Sequence, residues 1–199
     1  LRVEGDKLTA VDLKNVEFSY IALENAPAED AKDQRGRSLR PASIADLGFY
    51  DGKVMVSGLS NKEFSSTFRM IPYPFNNKQD WVSLEMYHAA HKQYETFSPI
   101  RTFTVGDVNG KKSLIASYTC TPLVVFPLED LKPGTHVKGR TVAEMGSGNS
   151  PLDMITMTKG SESYLLMANS SRPVFKVKYS HINAFQGTIT TPVEERFAT

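Results

Sequence analysis

Pro99-Ile-Arg-Thr-Phe-Thr-Val105, a turn at Asn109-Gly110, and Lys111-Lys-Ser-Leu-Ile-Ala-Ser-Tyr118 form the stretch on which the fold depends. Asn-Gly between two apolar runs is a strong hairpin signal, because a type I′ turn needs two residues at positive φ. The same plan occurs on either side. Upstream, Ser43-Ile-Ala-Asp-Leu-Gly-Phe-Tyr50 turns at Asp51-Gly52 into Lys53-Val-Met-Val-Ser-Gly-Leu59. Downstream, Pro151-Leu-Asp-Met-Ile-Thr-Met-Thr158 turns near Lys159-Gly160 into Ser161-Glu-Ser-Tyr-Leu-Leu-Met-Ala168. A polar break and a third apolar run follow each hairpin, at Phe64 to Ile71, Leu123 to Leu128 and Val174 to Tyr179. Trp81–Tyr87, Val137–Glu144 and Gly187–Thr191 are candidate fourth strands.

The turn glycines fall 58 and then 50 residues apart. Four short strands recurring at about that spacing are the sequence pattern of β-propeller blades. The reading is an all-β chain with three complete blades, near 43–87, 99–145 and 151–191. Residues 1–24 are expected to belong to a preceding blade. An antiparallel β-sandwich is the alternative, since its strands show similar spacing. The propeller is preferred because the position of the polar break repeats along with the turn. Three blades do not close a ring, for which about four to eight are needed. The expectation is therefore an incomplete ring in a single domain, 1–199. Leu1 in place of a methionine fits a processed chain or a piece of a longer one. Residues 25–40 read as a surface loop, with a helical turn at 28–34.

Composition narrows the function classes. Hydrophobic residues make up 40% and charged residues 23%, which suits a folded core. A net charge of +1 with no Lys/Arg stripe supplies no field for nucleic acid. No apolar run reaches the roughly 18–20 residues that span a bilayer. One cysteine, Cys120, excludes an internal disulfide and a four-cysteine zinc site. With no base beside it in the sequence, Cys120 reads as small, packed and inert.

Two constellations carry chemistry. In a propeller, the entry to each inner strand and the loop after each second strand open on one face. The repeat therefore gathers Asp46, Arg101 and Asp153 with Asn61, Thr119, Thr121, Asn169 and Arg172 at a channel mouth. Carboxylates, amides and hydroxyls converging there suit a polar ligand or a hard divalent cation such as calcium. Against this stands the ordinary use of Asp and Asn at strand ends, which is local hydrogen bonding to backbone. The second constellation is Tyr87-His88-Ala-Ala-His91-Lys-Gln-Tyr94-Glu95. Two histidines three apart and a carboxylate four residues on fit one side of a helical turn, and His88, His91 and Glu95 could ligate a transition metal. The competing reading is an insertion in which Glu95 pairs only with Lys92 or Arg101. His136 and His181 fall in outer-strand regions and read as structural.

The Ile-Ala-Asp-Leu entry at 44–47, the Pro-Leu-Asp-Met entry at 151–154 and Leu-Leu-Met-Ala-Asn-Ser-Ser-Arg at 165–172 resemble bacterial β-propellers of the NHL, YVTN and quinoprotein-like group. The resemblance covers roughly 43–179. Relatives in that group include calcium-dependent lactonases, which hold the metal with acidic and amide side chains at the channel mouth. Asp46, Asn61, Asp153 and Asn169 are similar in kind, while Arg101 departs from such a site. The tryptophan-docking pattern of quinoprotein propellers is absent, Trp81 being the single tryptophan.

The function expected from these readings is a non-catalytic propeller module that binds a ligand or a protein partner. The expected partner is another protein or the rest of a longer chain, and the expected setting is periplasmic or secreted, with the cytoplasm as the alternative. The alternative is a metal-dependent hydrolase or oxidoreductase acting at the channel mouth.

Overall fold

A computed structural model describes residues 1–193. Its first elements, β1 (Arg2–Glu4) and β2 (Lys7–Thr9), form an exposed two-stranded hairpin separate from the other sheets. The rest is three antiparallel meanders that follow one another along the chain. The first runs β3 (Asp46–Tyr50), β4 (Lys53–Leu59), β5 (Ser66–Pro72) and β6 (Asp80–His88), with the short β7 (Gln93–Glu95) folded back on the end of β6. The second runs β8 (Thr102–Val108), β9 (Lys111–Ser117) and β10 (Pro122–Pro127). After β10 the chain crosses to the first sheet as β11 (His136–Lys138), then returns to pair with β10 as β12 (Arg140–Glu144). The third is β13 (Pro151–Lys159), β14 (Glu162–Asn169) and β15 (Phe175–Lys178), closed by the short helix α1 (Tyr179–Ala184). None of the sheets closes into a barrel.

The hairpins form where the turn chemistry places them. Asp51 and Gly52 have φ of 49° and 70°, and Asn109 and Gly110 have 53° and 76°, the paired positive values of a type I′ turn. The third turn sits one residue later than Lys159-Gly160. Lys159 pairs with Glu162, so the turn residues are Gly160 and Ser161. Only Gly160 has positive φ, the type II′ pattern, which needs glycine first.

Alternation along the strands builds two cores. Phe68, Met70, Val82, Leu84 and Met86 of the first sheet pack against Phe103, Leu114, Ala116, Val124 and Phe126 of the second. The intervening residues Ile115, Leu123 and Val125 point the other way, onto Met154, Leu165, Met167, Tyr179 and Ile182 of the third unit. The second sheet is thus buried on both faces, which is why β10 reads as an unbroken apolar run, Leu123-Val-Val-Phe126. The outer face of the first sheet is covered by the segment before β3. Gly58 lies so close to Ser43 that an added Cβ would fall 2.1 Å from the Ser43 carbonyl oxygen. On the same side the buried Arg69 reaches the Glu24 carbonyl at 3.0 Å. The first strands of the three meanders are neighbours, β8 lying against both β3 and β13.

Several expected elements differ. Val137–Glu144 is not one strand: the chain switches sheets at Gly139. A Cβ at Gly139 would sit 2.5 Å from the Phe126 ring and 2.4 Å from Val124, so only a residue without one passes between the sheets. Gly187–Thr191 forms no strand, and Ile189 instead donates its amide to the Thr141 carbonyl. Residues 15–23 form no strand, and no helical turn occurs at 28–34. There the chain is held by a Lys32–Ser38 bridge and the 3₁₀ turn Arg40–Ser43.

β11 is the only strand joined in parallel among the described residues, and a buried carboxylate fastens it. Glu85 on β6 accepts from His136 Nε2 at 2.5 Å and from Lys138 Nζ at 3.0 Å. Burial pushes the Glu85 carboxyl up, but these two partners outweigh it and leave it below the usual carboxylate range. A carboxyl held low stabilises the fold at pH values above the usual carboxylate range, and that contribution disappears as pH falls through its folded pKa. Glu85→Gln is therefore expected to cost about 1 kcal/mol at pH 7. In urea denaturation the gap between the two proteins should close as the pH is lowered through the acid range. An unchanged gap at low pH would mean that Glu85 acts by packing alone.

Candidate metal centre

The end of β6 carries the one group of three or more histidine, cysteine, aspartate and glutamate side chains, among the described residues, whose donor atoms gather closely enough for a metal. Its members are His88, His91 and Glu95, with donor atoms within 4.8 Å of one another. A reversal of the chain brings them together, where the sequence suggested the face of a helical turn. His88 is the last residue of β6, and Ala89–His91 makes a single 3₁₀ turn. Lys92 at φ 55° then sends the chain back as β7. His88 pairs with Gln93 and Met86 with Glu95, so the glutamate returns on the same face as His88.

Glu95 sits at the centre. Its Oε1 is 3.0 Å from His88 Nδ1 and 2.6 Å from His91 Nδ1, and its Oε2 accepts from Ser98 Oγ at 2.7 Å. Burial alone would raise the carboxyl, but the partners His88, His91 and Ser98 outweigh it and hold it at about 2. Neither Lys92 nor Arg101 pairs with it. His88 is 2% exposed and Glu95 6%, whereas the His91 side chain is 51% exposed. The cluster is therefore closed on the protein side and open at His91.

A fourth group comes from the second sheet. Glu144, the last residue of β12, accepts the Ala89 amide at 2.6 Å and the Ala90 amide at 3.1 Å, tying down the turn between the histidines. Its Oε1 is 4.0 Å from His88 Nε2, a buried nitrogen with no hydrogen-bond partner. Thr141 Oγ1 joins the same two sheets by donating to the Tyr87 carbonyl at 2.6 Å. Tyr118 is fully buried nearby, its hydroxyl set beside that of Ser66 and in the field of Glu95. Burial pushes the Tyr118 hydroxyl well above its usual range. Sequence reading did not single out Glu144. The sequence marks Glu144 only as the last residue of the candidate strand Val137–Glu144.

Of the residues expected at a channel mouth, some hydrogen-bond within the protein and the others are exposed. Asp46 accepts the Leu47 amide at 2.8 Å and, through its other oxygen, the Phe103 amide at 2.9 Å, which pins β8 beside β3. Asn61 bonds through its backbone to Asn25, and Arg101 is exposed, its amide bonded to Ser117. Thr119 is exposed at the β9–β10 turn, and Asp153 is exposed beside a register shift in β13. Thr121, Asn169 and Arg172 do come together, around the loop 146–150. Thr121 Oγ1 donates to the Gly146 carbonyl at 3.0 Å, Asn169 Oδ1 accepts from Asn149 at 2.8 Å, and Arg172 donates to the Ser147 carbonyl at 3.1 Å. Their polar atoms hold that loop in place across 20 to 25 residues of chain. Cys120, at φ 65°, belongs to the same turn and bonds through its amide to Asn149.

His136 accepts or donates at Ser83 and Glu85 and stacks on Phe64 at 4.2 Å between ring centroids, a structural use. No helix is long and apolar enough to cross a membrane among the described residues. No family model, curated protein or solved structure matches this chain.

Proposed function

We infer that this chain is a run of β-propeller blades acting as a binding module, and that it holds a divalent transition-metal ion at His88, His91 and Glu95. The single observation that carries the metal reading is three donor atoms within 4.8 Å, two of them on buried side chains. Imidazole suits zinc, copper or nickel, whereas calcium takes six to eight oxygen ligands, so the donor set favours a zinc-class ion. The propeller reading is supported by three successive meanders, each in its own sheet, with their first strands side by side. A ligand or protein partner and an extracytoplasmic setting belong to the same reading.

Titration of the purified, metal-free protein with Zn²⁺ tests it. The expected result is one equivalent bound with micromolar or tighter affinity, and a thermal midpoint that rises with zinc concentration by mass action. Absence of saturable binding by calorimetry would remove the metal from this reading.

One observation favours a second reading, a metal-dependent hydrolase. Catalytic zinc sites combine three protein ligands with an open position for water, and the half-exposed His91 leaves this cluster open on one side. Zinc-dependent turnover of lactone or activated ester substrates, abolished by chelation, would support it.

A further inference from the structure

The chain places an unpartnered histidine nitrogen, buried between two sheets, opposite a carboxylate that belongs to the other sheet. His88 presents Nδ1 to Glu95 and therefore, on the metal reading proposed above, to the ion. An imidazole that binds a metal through one nitrogen carries its proton on the other, and that N–H needs an acceptor. His88 Nε2 is buried and without a partner, and Glu144 Oε1 stands 4.0 Å from it. That gap is about 1 Å longer than a hydrogen bond, within reach of a small rotation of the ring.

We propose that Glu144 is a positioning residue for the metal centre: its carboxylate accepts the Nε2 proton of metal-bound His88 and so fixes which nitrogen faces the ion. The inference rests on the metal reading and adds a second sheet to it. Glu144 stands on β12, in the meander that follows the one carrying the ligands. The same carboxylate already anchors the Ala89 and Ala90 amides, so a single group sets both the ring's tautomer and the height of the turn that carries His91. Metal affinity is then coupled to the packing of the first sheet against the second.

The chemistry also decides which replacement is informative. Glutamine keeps a carbonyl oxygen for the Ala89 amide but offers Nε2–H a neutral and weaker acceptor. Loss of an acceptor of this kind commonly weakens metal binding by about 10- to 100-fold.

Zinc titration of wild type and Glu144→Gln by calorimetry, with nitrogen-15 NMR of the histidine rings, provides the test. The expected result is a 10- to 100-fold weaker zinc affinity in the variant. In zinc-loaded wild type, His88 should show a protonated Nε2 and a metal-shifted Nδ1. Equal affinity in a folded Glu144→Gln protein, while wild type binds zinc, overturns the role of Glu144 and leaves the metal reading standing. An unprotonated, metal-shifted Nε2 in wild type overturns it as well, and that measurement does not depend on how the variant folds. Failure of wild type to bind zinc overturns both readings together.

Discussion

Replacing His91 with alanine is expected to weaken zinc binding by about 100- to 1000-fold while changing the stability of the metal-free protein by no more than about 1 kcal/mol. The two numbers have different physical sources. Structural zinc sites release about 10–16 kcal/mol over four ligands, so each ligand accounts for about 2.5–4 kcal/mol. That share falls on His91 as it does on His88. Stability, by contrast, depends on what the side chain buries. His91 is half in solvent and lies on a turn that Glu144 and the β6–β7 pairing hold without it. Removing it leaves Glu95 with His88 and Ser98, so no buried carboxylate is stranded. Calorimetric zinc titration read beside urea denaturation of the metal-free protein separates the two effects. His88→Ala could not, since that ring is buried and its loss would disturb the fold and the metal together. Undiminished zinc affinity in His91→Ala would show that the ion, if bound, sits elsewhere.

The second large effect is structural. Phe126→Ala is expected to destabilise the protein by about 3–5 kcal/mol, the range for removing a fully buried aromatic side chain. Phe126 stands on β10 with no exposure, in the core between the first and second sheets. Its ring also fills the space beside Gly139, where the chain passes from β11 on one sheet to β12 on the other. The cavity left by alanine would therefore open at the point where the two sheets are stitched together. Because β12 carries Glu144, the loss should reach the metal centre too. The midpoint of urea denaturation should fall with little change in slope, the signature of lost stability in an otherwise intact fold. A cost below about 1 kcal/mol would mean that the two sheets can close over the gap, contrary to the tight approach at Gly139.

The residues expected at a channel mouth are instructive about strand ends. Asp46, Asn169 and Thr121 have the chemistry of ligand groups, yet each has a backbone or amide partner within hydrogen-bonding distance. A loop that leaves a sheet must satisfy its own N–H and C=O groups, and short polar side chains nearby do so first. Side-chain type at a strand end thus carries little information about ligands. The His88–Glu95 cluster differs because it holds a buried imidazole with an unsatisfied nitrogen, and local backbone chemistry does not explain that atom.

Local order was written in the sequence. Asp51-Gly52, Asn109-Gly110 and Gly160 specify their hairpins through φ values that few other residues tolerate. The two-residue period of the strands then determines which side chains face a core and which do not. His88, His91 and Glu95 were legible for the same reason, being close along the chain and tied by one turn. The tertiary structure alone decided what depends on distance between sheets. Gly139 splits the stretch 137–144 between two of them, Glu144 crosses from the second to meet the turn of the first, and the polar residues of the loops find partners far away in sequence. No pattern along one strand encodes these contacts, because they arise from the separation and twist at which whole sheets pack.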